Sequence, residues 1–128
     1  WALFDRDPLQ RWHAGRVTLL GDAAHPMLPS MAQGAVQALE DAWCLAGLLA
    51  GKDTGAALAR YYEMRIDRTA RIQRGSAANA RMFHHASPLG RWAVYGPMAL
   101  GARLLPELIH RRQDWVYRHD ATRDVPPL

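Results

Sequence analysis

A single cysteine, Cys44, rules out any disulfide within the chain, and its place in an apolar helical stretch reads as a buried, inert thiol. No apolar run approaches the roughly 18 residues that a membrane-spanning helix needs. The start of the chain shows neither the basic residues nor the apolar run of a secretory signal, so a soluble, cytoplasmic protein without a membrane partner is expected. Internal repeats and low-complexity segments are also missing. Lysine is nearly absent: the sixteen basic residues are arginine except for Lys52, and against twelve acids they leave a net charge of +4. That excess could draw phosphate. The arginines are spread through the second half, however, and keep acidic neighbours, as Asp67 does four residues before Arg71, so solvated helix faces account for most of them. An initiator methionine is lacking too; "WALFDRDPL" opens like a sheet already under way, and the expectation is a fragment of a longer protein.

What is present, 128 residues of which 49% are apolar and 22% charged, suits one small globular domain. Residues 2–5, "ALFD", suit a short strand, and "DPLQRWHAG" carries the proline and glycine of a connection. A clearer strand is expected over residues 16–21, "RVTLLG", whose unbroken apolar run befits a strand covered on both faces in a layered α/β sheet. From Asp22 to Ala32 the composition is that of a loop, stiffened by Pro26 and Pro29. Helix resumes near Gln33, because Ala35, Val36, Leu39, Ala42, Trp43 and Ala46 recur at three- and four-residue steps, and Gly51 closes it. Thr54 is a fair N-cap for a long helix through about His85, broken only at Gly75, with Leu58, Tyr62, Ile66 and Ala70 along its apolar face. Beyond it, Pro88, Pro97 and Pro106 limit the chain to short helices, and "ATRDVPPL" reads as a frayed tail.

The segment that carries chemistry is "LLGDAAHPMLPSMAQGAVQALEDA", residues 19–42. It sets Asp22 at the carboxyl end of a strand, where ligands bind in open α/β sheets. Twelve residues later Gln33-Gly34-Ala35 opens a helix whose free N–H groups and dipole favour an electron-rich or anionic group. Gly34 has no side chain to block the approach. An aspartate so placed can accept two hydroxyl hydrogen bonds, as from a sugar or ribityl chain, so the two features suit one long polar ligand. A plainer account is that Asp22 caps a turn and Gly34 eases a tight helix entry; spacing alone does not decide between them, nor does it name a cofactor.

Other candidates read as structural. His25, one turn from the strand end, is expected to fasten the loop by hydrogen bonds rather than act as a general base. Asp22 with His25, or His84 with His85, lacks a third ligand at metal-site spacing, so no metal is expected. Glu40 and Asp41 are expected to pair with arginines of the long helix rather than perform acid–base work. Trp92, Tyr95, Trp115 and Tyr117, set among Arg91, Arg103, Arg111, Arg112 and Arg118, could stack nucleic-acid bases, but core and helix-docking surface is the simpler account. The competing reading from another class is a non-catalytic basic helical binding module.

"GRVTLLGDAAHPMLPSMAQGAVQALEDA", with "FDRDPLQRW" before it and "YYEMRIDRTARIQRGSAANARMF" after it, resembles the second flavin-binding motif and its flanks in the FAD-dependent aromatic-ring hydroxylases of the salicylate and 6-hydroxynicotinate hydroxylase type. The similarity runs over roughly residues 1–86 and fades to a late "DWVYRHDA", residues 114–121. It implies an α/β fold, the C-terminal fragment of an FAD-binding Rossmann-like domain, mostly helical here with one or two short strands. Residues 1–50 would hold the last strand, flavin loop and helix, and residues 51–128 a C-terminal helical region. The resemblance implies that Asp22 binds ribityl hydroxyls of FAD, that Pro29 lies against the isoalloxazine ring, and that the N–H groups of Gly34 and Ala35 face its pyrimidine end. Ser30, Met31, Ala32 and Gln33 would form the rim towards the substrate, with Gln33 a hydrogen-bond partner of flavin or substrate. No residue is assigned as catalytic. The implied reaction reduces FAD with NADH or NADPH and uses O2 to hydroxylate a small aromatic or heteroaromatic acid, the second oxygen leaving as water. No nucleic-acid partner is implied, and a homodimer is left open. The glycine-rich turn for the FAD pyrophosphate is missing: "GRWAVYG" and "GPMALGA" lack its spacing and preceding strand. The isolated chain is therefore expected neither to hold FAD tightly nor to turn over.

Overall fold

Two residues of turn, Gly15 and Arg16, fold the chain back on itself near its start. Gly15 takes a φ of 57°, a conformation glycine enters freely, and strand β1 (His13–Ala14) pairs antiparallel with β2 (Val17–Thr18) in the register His13 to Thr18 and Ala14 to Val17. A computed structural model describes residues 5–51, 53–84 and 87–125. Most of these are helical: α1 (Gly34–Leu49), α2 (Thr54–Phe83), α3 (Pro88–Leu104) and α4 (Pro106–Tyr117), with single 3-10 turns at Gly21–Ala23, Pro29–Met31 and Ala121–Arg123.

The expected strand over 16–21 shrinks to the two residues of β2, and Val17 is 70% exposed rather than covered on both faces. Its only strand partner among the described residues is β1, and Thr18, on the face opposite Val17, is half-buried. The strand expected at 2–5 falls largely outside the described residues.

Helix α1 begins one residue after Gln33, as expected. Gly51 lies just past its end and donates its N–H to the Leu48 carbonyl at 3.3 Å. At the start of α2 the capping side chain is Asp53 rather than Thr54: its Oδ1 accepts the Ala56 N–H at 3.1 Å. The helix then continues through Gly75 without a break to Phe83, and the expected end at His85 lies outside the described residues. Pro88 and Pro106 occupy first-turn positions, where the missing N–H is no loss. Pro97, expected to end a helix, stands inside α3. The carbonyl it deprives of a donor belongs to Ala93, an exposed residue, so water can take that bond.

Two compact units form: residues 1–77 with 120–128, and residues 78–119. In the first unit Trp12, Ala24, Cys44, Tyr61 and Val125 make a buried cluster, with the Trp12 ring 5.3 Å from His25 and 5.5 Å from Tyr61. Cys44 is a free buried thiol, as expected, and burial pushes its pKa up. Residues 121–125 of the expected tail are ordered instead: Asp120 caps the Ala121–Arg123 turn through the Thr122 N–H at 3.1 Å, and Val125 is buried. In the second unit Phe83 and Tyr95 stack with ring centroids 6.2 Å apart. Trp92 is 75% exposed and Tyr117 is also exposed, so of the expected core and helix-docking surface these two lie on a surface; no residue of α3 is buried.

Candidate functional site

Leu20 is extended, and Gly21 turns the chain sharply at a φ of 57°. A Cβ on Gly21 would stand 3.1 Å from the Cβ of Ala38, so only glycine lets this turn lie directly on α1. The turn is held from both sides. Gly21 donates its N–H to Asp41 Oδ2 at 3.1 Å, its carbonyl accepts the N–H groups of Ala24 and His25 at 2.9 Å, and the Arg6 guanidinium donates to the carbonyls of Ala23 and Ala24. Between these anchors Asp22 is exposed. Its Oδ1 lies 3.7 Å from the position a Cβ would take on Gly34, which sets the carboxylate beside the mouth of α1.

That mouth is open. The first N–H groups of a helix have no acceptor within it, and the Gln33 side chain does not cap them. The helix pole is therefore available to an electron-rich group, with Gly34 removing the side chain that would stand in the way. Leading into it, the Pro29–Met31 turn closes through the Ala32 N–H and Pro29 carbonyl at 3.0 Å, and Ala32 adopts a φ of 51°, which is uncommon without glycine.

Behind the turn lies a buried ionic network. Asp41 accepts the Arg65 Nε–H at 2.7 Å on Oδ1, while Oδ2 meets His25 Nε2 at 2.5 Å. Arg65 also donates from Nη1 to Glu40 Oε2 at 2.7 Å and from Nη2 to Gln37 Oε1 at 2.8 Å. Arg68 closes a second fork on Glu40, with both contacts at 2.8 Å. Burial alone would raise the pKa of Asp41, but the hydrogen bonds and charges of His25 and Arg65 outweigh it and hold the carboxyl below its ordinary range. Glu40 is lowered in the same way: burial opposes, and Arg68 and Arg65 prevail. Burial also raises the Tyr61 phenol, and the negative charge of Asp41 adds to the effect. Both acids are thus fixed as anions that hold the scaffold.

The expectation that Glu40 and Asp41 pair with arginines of the long helix is met, as is the fastening role of His25. Among the described residues no three His, Cys, Asp or Glu side chains gather as metal ligands. Of the candidate binding residues, Asp22 and Gly34 are brought together, Ala35 follows as an exposed first-turn residue, and Pro29 is exposed on its turn. Gln33 is 4% exposed, and its Oε1 accepts from Gln37 Nε2 at 3.2 Å. Sequence reasoning passed over Arg65, Gln37, Gln73 and Ser76, all buried on polar faces. Their signal is indirect, since an acid pair on one helix needs buried cations from another.

The family described as FAD binding domain matches residues 5–76. The 3-amino-4-hydroxybenzoate 2-monooxygenase of Streptomyces platensis is 55% identical over 86 residues, which cover 66% of this chain and 22% of that relative. The 6-hydroxynicotinate 3-monooxygenase of Bordetella bronchiseptica is 44% identical over 91 residues, covering 69% of this chain and 24% of the relative. Among solved structures, a salicylate hydroxylase in complex with substrate superposes with a TM-score of 0.76 at 32% identity, over 97% of this chain and 29% of that one. The chain therefore spans less than a third of the length of each of these three proteins.

Proposed function

The chain belongs to the FAD binding domain family, and from that premise we propose that it forms the flavin-facing loop and helix of an FAD-dependent monooxygenase that hydroxylates an aromatic or heteroaromatic acid with NAD(P)H and O2. In this reading the residues complete a Rossmann-like α/β domain of a cytoplasmic enzyme. The single observation that carries it is the meeting of Asp22 with the open mouth of α1.

The donor set fits the cofactor. A ribityl chain leaves the isoalloxazine ring beside its pyrimidine edge, so a site for both needs a hydroxyl acceptor close to a source of positive potential. Asp22 is that acceptor, and the N–H groups of Gly34 and Ala35 with the dipole of α1 supply the potential. A methyl added to Gly34 would fill the gap between them, in ordinary contact with Asp22 Oδ1 and Met27 Cγ.

When bound, FAD supplies the redox and oxygen chemistry. The chain's residues do the rest. Asp22 orients the ribityl hydroxyls, while the first turn of α1 favours negative charge at the pyrimidine edge. Pro29, on a turn tied to α2 through Ser30, packs on the ring and helps exclude water. His25 is 1% exposed with Nε2 bonded to Asp41, so its part in this scheme is to fasten the loop. Its partner Asp41 also holds Gly21, so the ionic network fixes where Asp22 stands.

The test is to express the protein from its complete natural reading frame, extract and quantify bound flavin, and screen hydroxybenzoates and pyridine carboxylates for stimulated NAD(P)H oxidation. Stoichiometric FAD and substrate-dependent oxidation are expected. A colourless protein that takes up no flavin defeats the proposal.

A further inference from the structure

Helix α2 meets the Pro29–Met31 turn at one step, Gly75–Ser76. The Ser76 hydroxyl donates to the Leu28 carbonyl, and the Ser30 hydroxyl donates to the Ser76 carbonyl at 2.7 Å. A Cβ built on Gly75 would stand 3.3 Å from Met31 Sδ, closer than such contacts ordinarily come. Two adjacent helix residues thus grip the turn from Leu28 to Met31. Immediately after it, Ala32 holds a left-handed φ of 51°, a conformation that persists only when its surroundings fix it. Gly75 has no local reason to be glycine: it lies deep within a 30-residue helix, where alanine is the better helix former. The approach of Met31 supplies the reason.

We propose that Gly75 is a positioning residue, whose missing side chain sets how closely Met31 and the Pro29–Met31 turn seat on α2, and thereby how that turn meets the flavin ring. The ring contact rests on the function proposed above; the packing of Met31 does not.

The test compares Gly75→Ala with wild type in the protein expressed from its complete reading frame. The added methyl forces Met31 to yield by a few tenths of an ångström while improving helix propensity. The melting temperature should therefore hold or rise, and the Met31 resonance should move in protein labelled with 13C-methyl methionine. FAD affinity should fall on the order of ten-fold, the equivalent of roughly 1.4 kcal/mol of binding free energy. Adding Met31→Ala should relieve most of that loss. Gly96→Ala makes the matching control: its new methyl meets nothing within 4 Å, so both resonance and affinity should stay unchanged. An unmoved Met31 resonance overturns the positioning claim. So does an affinity loss that Met31→Ala fails to relieve, or one that falls in step with the melting temperature. Wild-type protein that binds no flavin overturns the functional reading instead, so the two failures are distinguishable.

Discussion

Replacing Arg65 with methionine tests the buried network that underlies the site. The guanidinium donates to Asp41, Glu40 and Gln37 at 2.7, 2.7 and 2.8 Å, and its side chain is 2% exposed against 0% for Asp41. Methionine matches the stem but not the charge. Glu40 keeps Arg68, and Asp41 keeps His25 and the Gly21 N–H, neither of which replaces the guanidinium's fixed charge. Removing one partner of a buried ion pair costs about 3–5 kcal/mol, a large share of the roughly 5–15 kcal/mol that holds a domain together. For a chain of this size that is a fall in melting temperature on the order of 10–20 °C, read by circular dichroism at pH 7. The pH dependence is a second readout. Asp41 and Glu40 titrate below their ordinary values in the folded state, so their stabilisation is complete above about 4, the ordinary carboxylate pKa, and is lost as pH falls through the lowered folded values. Arg65→Met removes part of that lowering, so its stability should decline less steeply under acid than that of wild type. Arg65→Lys should recover little, since one ammonium cannot reproduce the fork to two carboxylates. A melting temperature within about 2 °C of wild type, or an unchanged acid slope, would refute the reasoning.

Gly21→Ala should destabilise by about 2–4 kcal/mol, combining the strain of a positive φ with overpacking against Ala38, and a urea titration should show a lower midpoint. Asp53→Ala removes the cap of α2 and should lower stability by about 1 kcal/mol without touching flavin affinity. A shift of more than roughly twice that size would mean Asp53 does more than cap. Gly75→Ala should lower flavin affinity while the melting temperature holds or rises, the reverse of Asp53→Ala.

The placement of the loop and its helix was legible because proline, glycine and helical periodicity act locally: Pro29 opens its turn, and α1 starts one residue past Gln33. The pairing of Glu40 and Asp41 with arginines was legible for a different reason, since adjacent acids on an apolar helix need cations nearby. The buried face of α2 was legible only in part. Hydropathy marks Leu58, Tyr62, Ile66 and Ala70, of which Leu58 and Ala70 are buried, yet the residues turned inward also include Tyr61, Arg65, Thr69, Gln73 and Ser76. Thr69 bonds within its own helix, but Arg65 and Ser76 are held by the acids of α1 and a loop carbonyl, and the Arg6 carbonyl accepts from Gln73 Nε2 at 2.8 Å; these partners are distant in sequence. The β1–β2 hairpin escaped notice because it is only two residues a side, and its Gly15 reads equally as loop. Gly75 looked like a break, whereas its role is a contact 44 residues away in sequence with Met31.

FAD titration of wild-type and Asp22→Ala protein, each expressed from its complete reading frame and followed by flavin fluorescence, tests the central claim most directly. Asp22 is exposed and outside the ionic network, so the substitution should leave the melting temperature nearly unchanged. It should weaken FAD binding by about ten- to hundred-fold, the loss of one charge-assisted hydrogen bond or slightly more. Equal affinity in the two proteins would contradict the account.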